Sequence, residues 1–135
     1  MREFSVGQKA EMSKTVSESD VYLFAGLCGD FNALHIDAVK ASESRFGGRI
    51  VHGALINAFV SAVLGMKLPG DGTIYLQQKS KFIKPVYIGD TITARVEIIA
   101  IENNKAELRT QVINQNEIIV LDGEAKVILP LMDNK

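Results

Sequence analysis

The spacing of apolar residues changes near the middle of the chain. Up to residue 66 they recur three and four positions apart, and after residue 72 they alternate with polar residues. The first spacing predicts helices with one buried face, and the second predicts strands with one buried face. A turn sequence rich in Gly and Pro, residues 68–72, separates the two halves. We therefore expect helices first and strands afterwards.

Three helices are predicted in the first half. Ser17 and the acidic residues after it are typical of a helix start, and Gly29 of a helix end. Residues 30–37 show no clear period and predict a loop, which a short helix over residues 38–45 follows. Residues 51–66 carry no charge and are mostly apolar, as expected for a helix at the centre of a domain. The buried face of the first helix is predicted to contain Val21, Phe24, Ala25 and Cys28.

Small and polar residues form a stripe along the predicted central helix. They recur every four positions and therefore share one face, which another part of the structure must approach closely. The simplest interpretation is a neighbouring backbone, with the polar members bonded to local carbonyls. The stripe consists of Gly53, Asn57, Ser61 and Gly65.

The second half predicts an antiparallel sheet. Residues 91–101 alternate most clearly, and Asn103 with Asn104 supplies the chemistry of a hairpin turn. Residues 4–14 predict an edge strand or an extended arm. Because the strands lack the helical crossovers of a parallel sheet, the fold class is α+β, one central helix against one curled sheet. The predicted strands are residues 73–83, 91–101, 106–113 and 118–129.

Composition narrows the function classes. The 135 residues predict a single domain, residues 1–135, and a net charge of −1 gives no reason to expect a nucleic-acid partner. The only cysteine, Cys28, lies on a predicted apolar face, where packing is its expected role, and a lone cysteine fits a reducing compartment. The N-terminus has no signal-peptide pattern, so we expect a cytoplasmic protein. Polar residues interrupt the apolar run 50–66, which disfavours a membrane span.

Both histidines of the chain lie among the few polar residues of its helical half. Asp30 and His35 share the predicted loop, and His52 and Gly53 lie where the central helix begins. A carboxylate, an imidazole and the free N–H groups of a helix start suit acid–base work on a carbonyl compound. The alternatives are that Asp30 caps a turn, that His35 is solvated and that His52 is structural. A metal site is disfavoured because the spacings match no common zinc motif.

The residues around this cluster resemble the signature of the MaoC-like (R)-specific enoyl-CoA hydratases. The signature is GD-x-N-x-x-H-x-D, here residues 29–37, followed by the pair His52–Gly53. The similarity extends through Leu68-Pro69-Gly70 to the closing Gly123-Glu124-Ala125. Ala33 stands where the family commonly has proline and Ala54 where it commonly has methionine, and neither change removes a reacting group.

The resemblance implies a hot-dog fold, in which a curved antiparallel sheet wraps a long central helix, and dimers whose sheets join. It implies reversible hydration of trans-2-enoyl-CoA to (R)-3-hydroxyacyl-CoA, without metal or other cofactor and with CoA or acyl carrier protein as the carrier. Asp30 and His35 would activate the water, and the Gly53 backbone N–H would bind the thioester oxygen. Asn32 and Ser61 would support the site, and the stripe of small and polar residues on the central helix would face the acyl-thioester tunnel. An acyl-CoA thioesterase and a non-catalytic acyl-thioester binder stay open as alternatives.

Overall fold

The structure is a computed structural model that describes residues 3–131. In the described range, helices and strands segregate as the apolar spacing predicts. Their order is β1 (Lys9–Thr15), α1 (Glu18–Cys28), α2 (Ala33–Ile36), α3 (Ala38–Ser42), α4 (Gly53–Met66), β2 (Ile74–Phe82), β3 (Thr91–Glu102), β4 (Lys105–Ile113) and β5 (Ile119–Ile128).

The five strands form one antiparallel sheet in the order β1-β3-β4-β5-β2. Strands β3, β4 and β5 are joined by short turns and lie in the middle, because consecutive antiparallel strands need only a few residues to connect them. Strands β1 and β2 are the two edges. The predicted α+β architecture is confirmed.

Helix α4 packs on the sheet and forms the centre of the core. Its buried residues are apolar, and so are the alternate residues of β3 that face it, as the sequence predicts. Burial of this helix removes a large apolar area from water, which is the main stabilising term of the fold. The α4 residues are Leu55, Ile56, Val60, Val63 and Leu64, and those of β3 are Ile92, Ala94, Val96 and Ile98.

Within residues 3–131, no helix has the length and apolar character that crossing a membrane requires.

Four local predictions were wrong. The segment predicted as a loop contains helix α2, and the short helix predicted over residues 38–45 is α3, which ends at Ser42. Helix α4 begins at Gly53, because the backbone of Val51 is extended and donates its N–H to the Val86 carbonyl at 2.7 Å. Cys28 is exposed at the end of α1, because only the earlier turns of that helix face the core.

The outer face of the sheet carries charges that alternate in sign across all five strands. Directly paired neighbours in one row have opposite charge, which is the favourable arrangement for cross-strand pairs. In the next row, Glu11 forms an ion pair with Arg95 at 3.5 Å. The first row runs Lys9, Glu97, Arg109, Glu124, Lys79.

Gly123 permits the closest approach in the sheet. A Cβ atom at this position would lie 2.0 Å from the backbone oxygen of Lys79 and 3.1 Å from Nε2 of Gln78. The backbone oxygen cannot move without breaking the β2–β5 pairing. Only glycine, which has no Cβ atom, therefore fits at position 123.

We expect Gly123→Ala to lower the free energy of unfolding by at least about 2 kcal/mol, because the added methyl group overlaps backbone atoms. Urea denaturation followed by circular dichroism measures the change. The matched control is Gly26→Ala in helix α1, where a Cβ has open space and the change should be neutral or stabilising by up to about 1 kcal/mol. Equal stability of the Gly123 variant and the unmodified protein would contradict the overlap.

Candidate active site

The candidate site lies between the end of α1 and the start of α4. Helix α1 ends at Gly29, whose φ of 84° is left-handed and turns the chain toward Asp30. Asp30 is exposed, and its Oδ1 accepts a hydrogen bond from the backbone N–H of Asn32 at 3.2 Å. This bond sets the position of the carboxylate relative to the following helix α2.

His35 projects from α2 and is buried, with 8% of its surface exposed. Its Nδ1 lies 2.7 Å from the backbone carbonyl oxygen of Ile50. Because a carbonyl only accepts hydrogen bonds, Nδ1 carries the proton in the neutral ring, and Nε2 keeps a lone pair that can take a proton. Ile50 is itself held, since its N–H donates to the Leu34 carbonyl at 3.0 Å.

His52 lies directly behind this ring. It is 1% exposed, and its Nε2 lies 3.0 Å from the backbone oxygen of Asp30, so Nε2 is the donor. Its ring stacks on His35 with the centroids 3.8 Å apart, and Phe24 packs edge-on at 5.0 Å. The geometry matches the structural alternative for His52, because its ring joins the α4 start to the loop. Its buried Nδ1 has no hydrogen-bond partner among residues 3–131.

The structure brings Asp30, His35 and His52 together. One possible ligand atom from each lies within 4.8 Å of the others, so the three side chains are close enough to hold a metal ion. The two imidazole planes, however, are only 26° from parallel. The lone pair of an imidazole lies in the plane of its ring, so two stacked rings direct their lone pairs side by side instead of toward one ion. The arrangement suits proton transfer between Asp30, His35 and a water better than metal coordination.

Arg49 ties the segment before α4 to helix α1. Its guanidinium donates to the Tyr22 hydroxyl at 2.7 Å and forms an ion pair with Glu18. The Arg49 hydrogen bond holds the pKa of the Glu18 carboxyl below its usual value. Since Arg49 directly precedes Ile50, the Arg49–Glu18 ion pair also helps to fix the position of the Ile50 carbonyl, which orients His35.

Gly53 is the first residue of α4, and His52 at the N-cap makes no side-chain hydrogen bond to the helix start. The first N–H groups of a helix have no partner inside it, so this end can receive an electronegative oxygen. The ring of Phe82 lies across Gly53, and a Cβ there would be 3.1 Å from two ring carbons. Glycine therefore lets the ring and the backbone meet at this end of the helix.

The two predicted supporting residues lie in different places. Asn32 caps α2, since its Oδ1 accepts the N–H of Leu34 at 3.0 Å, and it therefore supports the helix that carries His35. Ser61 is exposed on α4, about 12 Å along the helix axis from Gly53.

Three features of the site were not predicted from the sequence. The Ile50 carbonyl and the Phe82 ring come from segments with no polar signature, so no residue pattern could reveal them. Asn57 was expected to bond a local carbonyl, and this was wrong: its Oδ1 accepts a hydrogen bond from Ser80 of β2 at 2.7 Å.

The tautomers of the two histidines are a direct consequence of this geometry. In the neutral form of each ring, we expect His35 to carry its proton on Nδ1 and His52 on Nε2. Long-range ¹H–¹⁵N correlation spectra distinguish these forms, and His35→Ala and His52→Gln assign the signals. A proton on Nε2 of His35 would contradict the carbonyl contact that orients its ring.

This chain is similar to known proteins over most of its length. The model of the MaoC-like domain family matches residues 3–120. The (R)-specific enoyl-CoA hydratase of Rhodospirillum rubrum is 45% identical over 126 residues, which are 92% of this chain and 87% of that protein. The enzyme of the same name from Aeromonas caviae is 44% identical over 127 residues, 93% of this chain and 95% of that protein.

A solved structure is also similar over nearly the whole chain. It is the (R)-hydratase from A. caviae involved in PHA biosynthesis, with a TM-score of 0.93 and 42% identity, covering 96% of this chain and all of that one. The predicted hot-dog fold is confirmed by this similarity. With the family model, the sequence identity and the fold in agreement, this chain belongs to the MaoC-like family.

Proposed function

We propose that residues 1–135 form one cytoplasmic MaoC-like domain that reversibly hydrates trans-2-enoyl-CoA to (R)-3-hydroxyacyl-CoA. The observation that carries the proposal is the meeting of the Asp30 carboxylate and the His35 imidazole beside the start of α4. The names of the relatives from R. rubrum and A. caviae support the same reaction. No metal or redox step is needed, because water adds to a polarised double bond.

In the proposed mechanism, the Gly53 N–H donates a hydrogen bond to the thioester oxygen and draws electrons out of the conjugated double bond. A water held between Asp30 and His35 attacks C3, and Nε2 of His35 takes its proton. The negative charge that moves to the thioester oxygen is stabilised by the helix start. A proton then returns from the Asp30–His35 pair to C2, which completes the addition of water.

The roles differ between the two side chains because their surroundings differ. His35 is buried and oriented by a carbonyl, so its lone pair is a fixed base. Asp30 is exposed and oriented by one backbone N–H, so its carboxylate can bind the water. Asn32 positions both, since its backbone N–H contacts Asp30 and its side chain caps the helix of His35.

Loss of absorbance tests the reaction, because enoyl thioesters absorb in the ultraviolet and the hydrated products do not. Purified protein should hydrate crotonyl-CoA, and Asp30→Asn or His35→Ala should lower kcat by about a hundredfold or more, since each removes a proton-transfer group. The control Asp122→Asn lies on the outer face of the sheet and should leave kcat unchanged. Near-normal rates in the Asp30 and His35 variants would refute their roles.

Two further measurements, made beside the absorbance assay, separate the alternative functions. An acyl-CoA thioesterase would release free thiol, which a thiol reagent detects. A non-catalytic binder would bind crotonyl-CoA without turnover in calorimetry. Free thiol released in step with the loss of enoyl absorbance, or binding without any loss of absorbance at any chain length, would overturn the proposed hydration.

We also propose that two copies of the chain pair along strand β2. Both β1 and β2 are sheet edges, but they differ in chemistry. The exposed residues of β1 are mostly charged or hydroxylic, which protects an edge from pairing. Strand β2 and the residue after it expose a group of large apolar side chains, which marks an interface. This group is Ile74, Tyr75, Leu76, Phe82 and Ile83.

Sedimentation velocity tests the pairing. We expect the unmodified chain to be a dimer or a dimer of dimers, and Leu76→Lys to raise the dissociation constant of the pair at least about tenfold, because it puts an unpaired charge into the interface. Met12→Lys makes the same change on β1 and should leave the assembly intact. Dissociation by the β1 variant and not by the β2 variant would place the interface at the other edge.

A further inference from the structure

Beyond Gly53, helix α4 and strand β2 run side by side and form a seam. Phe82 lies against Gly53, and two residues back along β2, Ser80 lies against Asn57, one turn further along the helix. The two contacts are separated by about 6 Å along the helix axis. The seam thus leads from the proposed thioester site toward the middle of α4.

A hydrogen bond closes this seam. The Ser80 hydroxyl donates to Oδ1 of Asn57 at 2.7 Å, so the helix and the strand touch here through polar atoms. Both residues are partly buried. Two side chains at hydrogen-bonding distance leave no space for a hydrocarbon chain between them.

Further polar contacts hold Ser80 in place. Nε2 of Gln78 lies 2.9 Å from the Ser80 hydroxyl and 3.0 Å from the hydroxyl of Thr110, which is fully buried. Gln78 reaches Thr110 across strand β5 at Gly123, the position that has no side chain. Tyr75 donates to Oε1 of Gln78. Hydrogen bonds to β2 and β4 therefore hold the Asn57–Ser80 contact in place, so displacing it disrupts the whole network.

We propose that the Asn57–Ser80 contact ends the acyl pocket and makes the protein selective for short enoyl thioesters. This rests on the proposed hydration, with the thioester oxygen on the Gly53 N–H. An acyl chain that follows the seam meets the contact after about one helical turn, so only the first few carbons fit. A longer chain must break the Asn57–Ser80 hydrogen bond and leave the Ser80 hydroxyl hydrogen and Oδ1 of Asn57 unpaired against hydrocarbon, which is costly.

Rates with crotonyl-CoA and trans-2-octenoyl-CoA test the proposal. We expect the unmodified protein to prefer crotonyl-CoA. Asn57→Ala with Ser80→Ala removes the contact and opens the seam, so the ratio of kcat/KM for octenoyl-CoA to that for crotonyl-CoA should rise about tenfold or more. The ratio isolates acyl length, because any loss of activity that is common to both substrates cancels.

Two further variants separate pocket length from general damage to the fold. Thr110→Ser reduces packing behind Gln78 but keeps the hydroxyl that anchors it, and should keep the crotonyl preference. Ser80→Thr keeps the hydroxyl and should also keep it. An unchanged ratio in the folded double alanine variant, or an unmodified protein that prefers octenoyl-CoA, would overturn the proposal while the hydratase function stands. Absence of hydration with either substrate would overturn both.

Discussion

Two hydrogen bonds from imidazole rings to backbone carbonyls hold the candidate site together. His35 donates to the Ile50 carbonyl and His52 to that of Asp30, so each histidine joins a segment far from it in sequence. The two rings stack on each other, which couples the two bonds into one unit. Because a carbonyl accepts only, these bonds also determine which nitrogen of each ring is free. The same two hydrogen bonds therefore determine both the orientation of each ring and the nitrogen that can accept a proton.

The fold followed closely from the sequence, because its strongest signals are periodic. The uncharged central helix and the alternation of Ile92, Ala94, Val96 and Ile98 both report burial directly. Helix α2 was missed because four residues are too few to show a period, although its cap, Asn32, is a recognisable start. Cys28 was misplaced because an apolar spacing does not reveal where along a helix the core ends.

The candidate site was predictable in its members and not in its geometry. Asp30, His35 and Gly53 stand out because the chain has only two histidines, and these three residues lie in the GD-x-N-x-x-H-x-D signature and in the pair His52–Gly53. The contacts that orient them come from backbone atoms and from strand β2, and neither leaves a trace in residue types. A carbonyl such as that of Ile50 exists at every position, so only the folded chain shows which one faces a ring.

Strand β2 links three properties that are usually considered apart. Its Phe82 packs on the helix start, its Ser80 bonds to Asn57, and its exposed apolar residues form the proposed surface for a second copy. A shift of this strand would therefore alter the proposed oxyanion site, the proposed acyl pocket and the proposed dimer interface at once. Selection on any one of these properties constrains the other two.

The alternating charges on the outer face bear on how this sheet can diverge. The three inner residues of the row, Glu97, Arg109 and Glu124, each have an oppositely charged residue on both neighbouring strands. Reversing the charge of one of them therefore creates two repulsive pairs. Reversing the charge of a paired neighbour as well removes part of that repulsion. Mutational paths across this surface should therefore proceed in compensated pairs, and related chains should show covariation between adjoining strands instead of independent drift.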